Sequence, residues 1–186
     1  NRLGFNNHGS ESVSKRISNN HPDGFLGINI GPNKETKNKE NDYYICLSRL
    51  GMYAGYITIN ISSPNTEGLR DFHDQGEMKK LLTGINKIIK EKKIKCPIAI
   101  KISPDINDNE ISKIVELVSS HKIQGIIVSN TTDSNRDNLS DIKKHEVGGL
   151  SGLPLKDIST NLIKKFYKET KGKINIIGVG GVDSGE

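Results

Sequence analysis

The chain has 186 residues, 33% hydrophobic and 26% charged, which allows one substantial core and excludes a disordered polymer. Its net charge of +5 is interleaved, as in Lys90-Glu91-Lys92-Lys93-Ile94-Lys95, and is not grouped with aromatics, so it implies a solvated face and no nucleic-acid partner. No window reaches the about 18 apolar residues of a membrane span, and the start, Asn1-Arg2-Leu3-Gly4-Phe5, lacks the layout of a secretory signal.

In chain order, a first apolar run covers residues 25–30 and gives way to a polar loop, Gly31-Pro32-Asn33-Lys34. Cys46 then falls within a helical pattern. The second run, 56–61, passes into Asn60-Ile61-Ser62-Ser63-Pro64-Asn65-Thr66, where amides and hydroxyls crowd around one proline. Met78, Leu81, Leu82, Ile85, Ile88 and Ile89 recur at helical spacing. Cys96 precedes the third run, 97–102, which contains Lys101. Asn107 and Glu110 form an N-cap pair that opens a second helical stripe, Ile111, Ile114, Val115 and Val118.

The fourth run, 125–128, leads into Ser129-Asn130-Thr131-Thr132, and residues 135–146 form another polar loop. After Gly148-Gly149-Leu150-Ser151-Gly152 comes a third stripe, Ile158, Leu162, Ile163 and Phe166. The fifth run, 174–179, ends in Gly178-Val179-Gly180-Gly181, and Asp183-Ser184-Gly185-Glu186 reads as the start of a further helix.

Nearly continuous Ile/Val runs alternating with helices predict an α/β fold with a parallel sheet covered on both sides. Asn29, Asn60, Lys101 and Asn130 each stand at or just past the end of a different run. Convergence of those ends on one ring favours a (β/α) barrel over an open doubly wound sheet. Eight units need about 250 residues, so a partial barrel is expected. The two cysteines, Cys46 and Cys96, lack metal-ligand spacing and are expected to be small core residues. The five histidines are scattered, so no metal is assigned.

Carboxamides present a donor and an acceptor in one plane, which suits the edge of a pyrimidine or flavin ring. Asn60, Asn65 and Asn130 could act so, although a lone loop asparagine usually shapes a turn. Lys101 in a buried-looking strand could hold negative charge on a cofactor ring or serve as a Schiff-base amine. The glycine runs could cradle a phosphate or merely turn the chain. Ser63 has no neighbouring histidine; it could work as a base in a desolvated site or only shape the loop before Pro64.

These motifs resemble those of dihydroorotate dehydrogenase, class 2, the quinone-dependent branch. The resemblance rests on Asn1-Arg2-Leu3-Gly4-Phe5-Asn6-Asn7, Gly27-Ile28-Asn29-Ile30-Gly31, Asn60 to Thr66, Ala99-Ile100-Lys101-Ile102, Ser129 to Thr132, Gly148 to Gly152 and Gly178 to Gly181, and so spans essentially the whole chain. It implies a single FMN-binding (β/α)8 TIM barrel domain, of which residues 1–186 would supply about the third to seventh strands. The first two strands, the last strand and an N-terminal membrane-associating segment would lie elsewhere, so this stretch alone is expected to be inactive.

The implied reaction oxidises dihydroorotate to orotate in de novo pyrimidine biosynthesis, with ubiquinone or a related quinone as acceptor. Ser63 would take the C5 proton while hydride passes from C6 to flavin N5, with Thr66 and Phe5 beside the proton exit. Asn1, Gly4, Phe5, Asn60, Asn65, Asn130 and Thr131 would hold the substrate. Asn29, Asn60, Lys101 and Ser129 would contact the flavin, and Gly152 and Gly181 its phosphate.

Serine at 63 carries the class assignment, because class 1 resembles this motif with cysteine there. The resemblance also implies a soluble site domain associated peripherally with a bacterial or mitochondrial inner membrane. Glu67 departs from the family's usual proline, Ser129 from its commoner threonine, and Asp133 has no evident reason. A class 1-like enzyme with another acceptor, a Schiff-base aldolase using Lys101, and a non-catalytic barrel kept for interaction are the alternatives.

Overall fold

The structure is a computed structural model that describes residues 6–63, 68–134, 136–137 and 139–185. Helix α1 (Gly9–Asn19) precedes strand β1 (Gly27–Ile30). Then follow α2 (Lys39–Leu50), β2 (Tyr56–Asn60), α3 (Gln75–Lys92), β3 (Ile98–Lys101), α4 (Asp108–Ser120), β4 (Gly125–Val128), α5 (Lys156–Thr170) and β5 (Asn175–Gly178). All neighbouring strands are parallel, and their order across the sheet is their order in the chain. A doubly wound sheet reverses its strand order at a switch point. Continuous winding in one direction is that of a barrel wall.

Except for β4, the strands are one or two residues shorter than the apolar runs. The flanking residues still hydrogen-bond across the sheet, Ile61 N–H to Lys101 O at 3.3 Å and Ile102 N–H to Ile127 O at 3.2 Å. Phe25 lies outside β1 altogether and stacks on Tyr56, with ring centroids 5.9 Å apart.

Side chains alternate across a strand, so the register assigns each residue to a face. Ile28 and Ile30, Ile57 and Ile59, Ile98 and Ile100, and Ile126 and Val128 share one face, continued by Ile61 and Ile102. All are buried in one cluster with Tyr43 and Leu47 of α2, Leu81, Leu82 and Ile85 of α3, Ile114 and Val118 of α4, and Phe166 of α5. Burying each such aliphatic side chain contributes about 1.5–3 kcal/mol.

The other face carries Gly27, Asn29, Thr58, Asn60, Ala99, Lys101, Gly125, Ile127, Asn175 and Ile177. There Asn29, Asn175 and Ile177 are exposed. The expectation of cover on both sides therefore holds for β2, β3 and β4, where Thr58, Asn60, Ala99, Gly125 and Ile127 are also buried, and fails at the edge strands β1 and β5. The opposite face is the one that a closing barrel turns toward its axis.

Capping fixes where the helices begin. Asn107 accepts from Glu110 N–H at 3.1 Å while the Glu110 carboxylate accepts from Asn107 N–H at 2.7 Å, which makes the expected reciprocal box on α4. Asp74 caps α3 and Asn38 caps α2. Helix α1 escaped the sequence reading because its apolar stripe is only Val13 and Ile17, which pack half-buried against the core.

Two further expectations are corrected. Cys46 and Cys96 are only half-buried, at the margin of the core: Cys46 faces Ser10 of α1, and Cys96 Sγ donates to Gly51 O at 3.6 Å. Burial raises both thiol pKa values, so neither is an activated nucleophile. The loop over residues 135–146 contains a short 3-10 turn, Ile142–His145, in which the Asp141 carboxylate accepts from Lys143 N–H at 2.7 Å. After β5, Asp183 accepts from Lys156 Nζ at 2.9 Å.

Candidate active site at the strand ends

The C-terminal ends of β2, β3 and β4 bring together most of the described polar residues that the motifs single out. Asn60 and Lys101 are register partners on the same face, and Asn29 lies on that face of β1 opposite Thr58. Lys101 is half-buried, pairs with no carboxylate among the described residues, and is held below the usual lysine pKa by burial alone. It is placed to meet negative charge on a ligand or, deprotonated, to act as a nucleophile.

One hydroxyl joins the two asparagines. Ser62, fully buried, donates through Oγ to Asn60 Oδ1 at 2.7 Å and accepts from Asn130 Nδ2 at 3.0 Å. Ser62 N–H also donates to Asn60 Oδ1 at 3.2 Å, and Thr131 N–H donates to Asn130 Oδ1 at 2.9 Å. Backbone N–H groups only donate, so these contacts fix the orientation of both amides. With Asn60 Oδ1 taken up twice, Asn60 offers a ligand its N–H groups. Asn130 retains one N–H and a carbonyl lone pair.

The scaffold beneath is tied by buried hydrogen bonds. Tyr43, fully buried on α2, donates to Asn60 O at 2.6 Å. Asn130 N–H donates to Ile102 O and Ser129 N–H to Val179 O, both at 2.9 Å. The Val128–Ser129 peptide is cis. Ser129 is buried, and its hydroxyl donates to Asn130 O at 3.1 Å. Thr131 Oγ1 is buried with no hydrogen-bond partner among the described residues, close beneath Gly149, where an added Cβ would overlap it. Ser63 is buried at the start of the same connection as Ser62.

The two glycines expected at a phosphate flank the start of α5. Gly152 precedes the 3-10 turn Leu153–Leu155 that runs into α5, with φ of 80°. Gly181, with φ of 72°, lies against Lys156, the first residue of α5; a Cβ there would stand 2.6 Å from Lys156 Cα. Among the described residues no side chain caps α5. An uncapped helix N-terminus with glycine backbone beside it suits an anion.

Other expected residues stand apart. Asn29 is exposed at the rim of a groove of about 540 Å³ between α1, α2 and the end of β1, which Asn60, Lys101 and Ser129 do not line. Asn1, Gly4, Phe5, Asn65, Thr66 and Glu67 lie outside the described residues. Sequence reasoning missed Ser62, although it shares the strand parity of Asn60. It also missed Arg70 and Asp105. These meet Asp133, whose presence now has a reason: Arg70 Nη1 donates to Asp133 Oδ1 at 2.9 Å and Nη2 to Asp105 Oδ2 at 3.1 Å.

The family model for dihydroorotate dehydrogenase matches residues 1–186. The chain is 43% identical over 193 aligned positions to a dihydroorotate dehydrogenase (quinone) of Salmonella typhi, and 44% identical to the protein of that name from Citrobacter koseri; each match covers 99% of this chain and 56% of the relative. A ligand-free DHODH of Eimeria tenella superposes with a TM-score of 0.93 at 34% identity, covering all of this chain and 58% of that one. A second structure of that protein, in complex with ferulenol, gives 0.89. The chain thus spans a little over half the length of the relatives it matches, and by its sequence, its continuously wound parallel sheet and its strand ends it belongs to the dihydroorotate dehydrogenase family.

Proposed function

We propose that the full-length protein oxidises dihydroorotate to orotate, with FMN as its bound cofactor and a quinone as final electron acceptor. The observation that carries this reading is the amide pair Asn60 and Asn130, wired through Ser62 beside a Lys101 that meets no carboxylate among the described residues, at the ends of adjacent barrel strands. Residues 1–186 would form about the third to seventh strand units of one (β/α)8 domain.

The described residues fit FMN. Lys101, with Asn29, Asn60 and Ser129, would hold the flavin and its ribityl chain, and the uncapped start of α5 with Gly152 and Gly181 would take the phosphate. FMN, when bound, supplies the hydride acceptor. The chain's own part is to hold the substrate ring through Asn60, Asn130 and Thr131 and to take a proton at Ser63 Oγ. A buried hydroxyl serves as a base only where water is excluded, and the burial of Ser63 supports that role. Asn1, Gly4, Phe5, Asn65 and Thr66 belong to the proposal through the family motif.

The quinone acceptor follows the names of the relatives and the serine at position 63. Among the described residues no helix is long and apolar enough to cross a membrane. Peripheral association with a bacterial or mitochondrial inner membrane, where a lipid-soluble quinone resides, would run through sequence other than residues 1–186.

Denaturing the purified full-length protein and identifying the released chromophore tests the cofactor. FMN in about equal molar amount is expected. The lowered pKa of Lys101 also suits a Schiff-base amine, so borohydride trapping of a carbonyl substrate on Lys101 in a colourless protein would instead favour an aldolase.

A further inference from the structure

The connection after β2 leaves the sheet through Ser62 and Ser63 and is described again from Gly68, entering a short 3-10 turn, Arg70–His73. Its Arg70 reaches two other connections at once. One arm meets Asp105, after β3, and the other Asp133, after β4. Arg70 and Asp105 are well shielded, at 27% and 18% side-chain exposure.

The fork is braced on every side. Asp105 accepts from the Thr132 hydroxyl at 2.5 Å and from Asp133 N–H at 3.4 Å, and its own N–H donates to Ser103 Oγ at 3.2 Å. His73, buried, donates through Nδ1 to Arg70 O at 3.0 Å and accepts at Nε2 from Ser103 N–H at 3.4 Å. Thr132 directly follows the Asn130–Thr131 pair. Two carboxylates that share one guanidinium repel each other once it is removed, and a lysine, as a point charge, cannot replace a planar fork spanning both.

We propose that Arg70 is a positioning residue: by binding Asp105 and Asp133 in one fork it sets the separation between the Ser63 end of the β2 connection and the Asn130–Thr131 end of the β4 connection. This rests on the proposed function, in which those two ends face one substrate. Asp133 is the second arm of the fork. Both carboxylates work through Arg70 and neither touches the reacting atoms.

The test uses full-length wild-type, Arg70→Ala, Arg70→Lys, Asp133→Asn and the double variant Arg70→Ala/Asp133→Asn. Flavin reduction by dihydroorotate and flavin reoxidation by a soluble quinone are timed separately, alongside amide hydrogen exchange over residues 68–74 and 129–134. Arg70→Ala should slow reduction about 10- to 100-fold, the scale of a misplacement near 1 Å, and leave reoxidation unchanged. Arg70→Lys should not restore the rate, whereas the double variant should recover part of it because the facing charges are relieved.

Exchange should quicken in both segments together. Should Arg70→Ala fail to fold, Asp133→Asn, altered at the more exposed partner, should still slow reduction alone. Equal slowing of both half-reactions, wild-type rates in Arg70→Lys, or exchange that quickens in one segment only would overturn the inference. A wild-type protein without flavin would end the proposed function, and the exchange data alone would then decide whether the fork joins the two connections.

Discussion

Asn130 donates to the Ser62 hydroxyl across 3.0 Å, joining residues 68 positions apart, and the same hydroxyl donates to Asn60 at 2.7 Å. Ser62→Ala removes the one group that holds both amides in register. A buried polar group left unpaired costs about 1–3 kcal/mol. Orotate affinity of the full-length protein should therefore fall about tenfold or more, with flavin content retained. Titration of the flavin spectrum with orotate reads this, and an unchanged dissociation constant would remove Ser62 from the site.

Lys101→Ala should cost flavin, not fold. The ammonium is half-buried without an anionic partner among the described residues, and burial lowers its pKa. In the flavin-free protein it is a liability that alanine removes. The flavin-free variant should melt no lower than flavin-free wild type, while flavin retention after gel filtration drops. Full flavin retention would contradict the cofactor role.

Gly181→Ala places a methyl 2.6 Å from Lys156 Cα in a backbone at φ of 72°. The conformation alone costs about 1–3 kcal/mol for a residue with a Cβ, and the contact is with the backbone of α5, which cannot turn aside. Stability and flavin content should fall together. Gly152→Ala is the comparison, since a Cβ there meets nothing within 4 Å; its loss should be the smaller.

His73 makes stability depend on pH. Burial is the largest influence on its imidazole and lowers its pKa, against the raising effect of the hydrogen bond to Arg70 O. The unfolded chain then binds the proton more readily, so this contribution is complete above the ordinary value of 6.5 and is lost as pH falls through the lower folded value. Denaturant midpoints should decline from pH 7.5 to pH 5, and His73→Gln, which keeps a donor and an acceptor without titrating, should flatten that decline. An identical slope in the variant would contradict the assignment.

The apolar runs and helical stripes carried the fold because burial imposes period on sequence: Leu81, Leu82 and Ile85, or Ile111, Ile114 and Val118, can be read as faces before any packing is known. Helix α1 could not be read so, since only Val13 and Ile17 pack against the core and neither is fully buried. At the site, Asn60, Lys101 and Asn130 were legible because polar residues at the end of an apolar strand are costly without a purpose. The Arg70 fork was not legible. Its three members lie on separate connections, each looks like an ordinary loop charge, and only the parallel order of β2, β3 and β4 brings them within 3.1 Å. Asp133 looked arbitrary in sequence for that reason.

The most direct measurement is anaerobic mixing of dihydroorotate with the full-length protein, wild type and Ser63→Ala, followed by flavin absorbance in a single turnover. Wild type should bleach, and the variant should bleach about 10²–10⁴-fold more slowly, the usual worth of a general base, or about 3–5 kcal/mol. A protein that fails to bleach, or a Ser63→Ala variant that bleaches at the wild-type rate, would contradict the account.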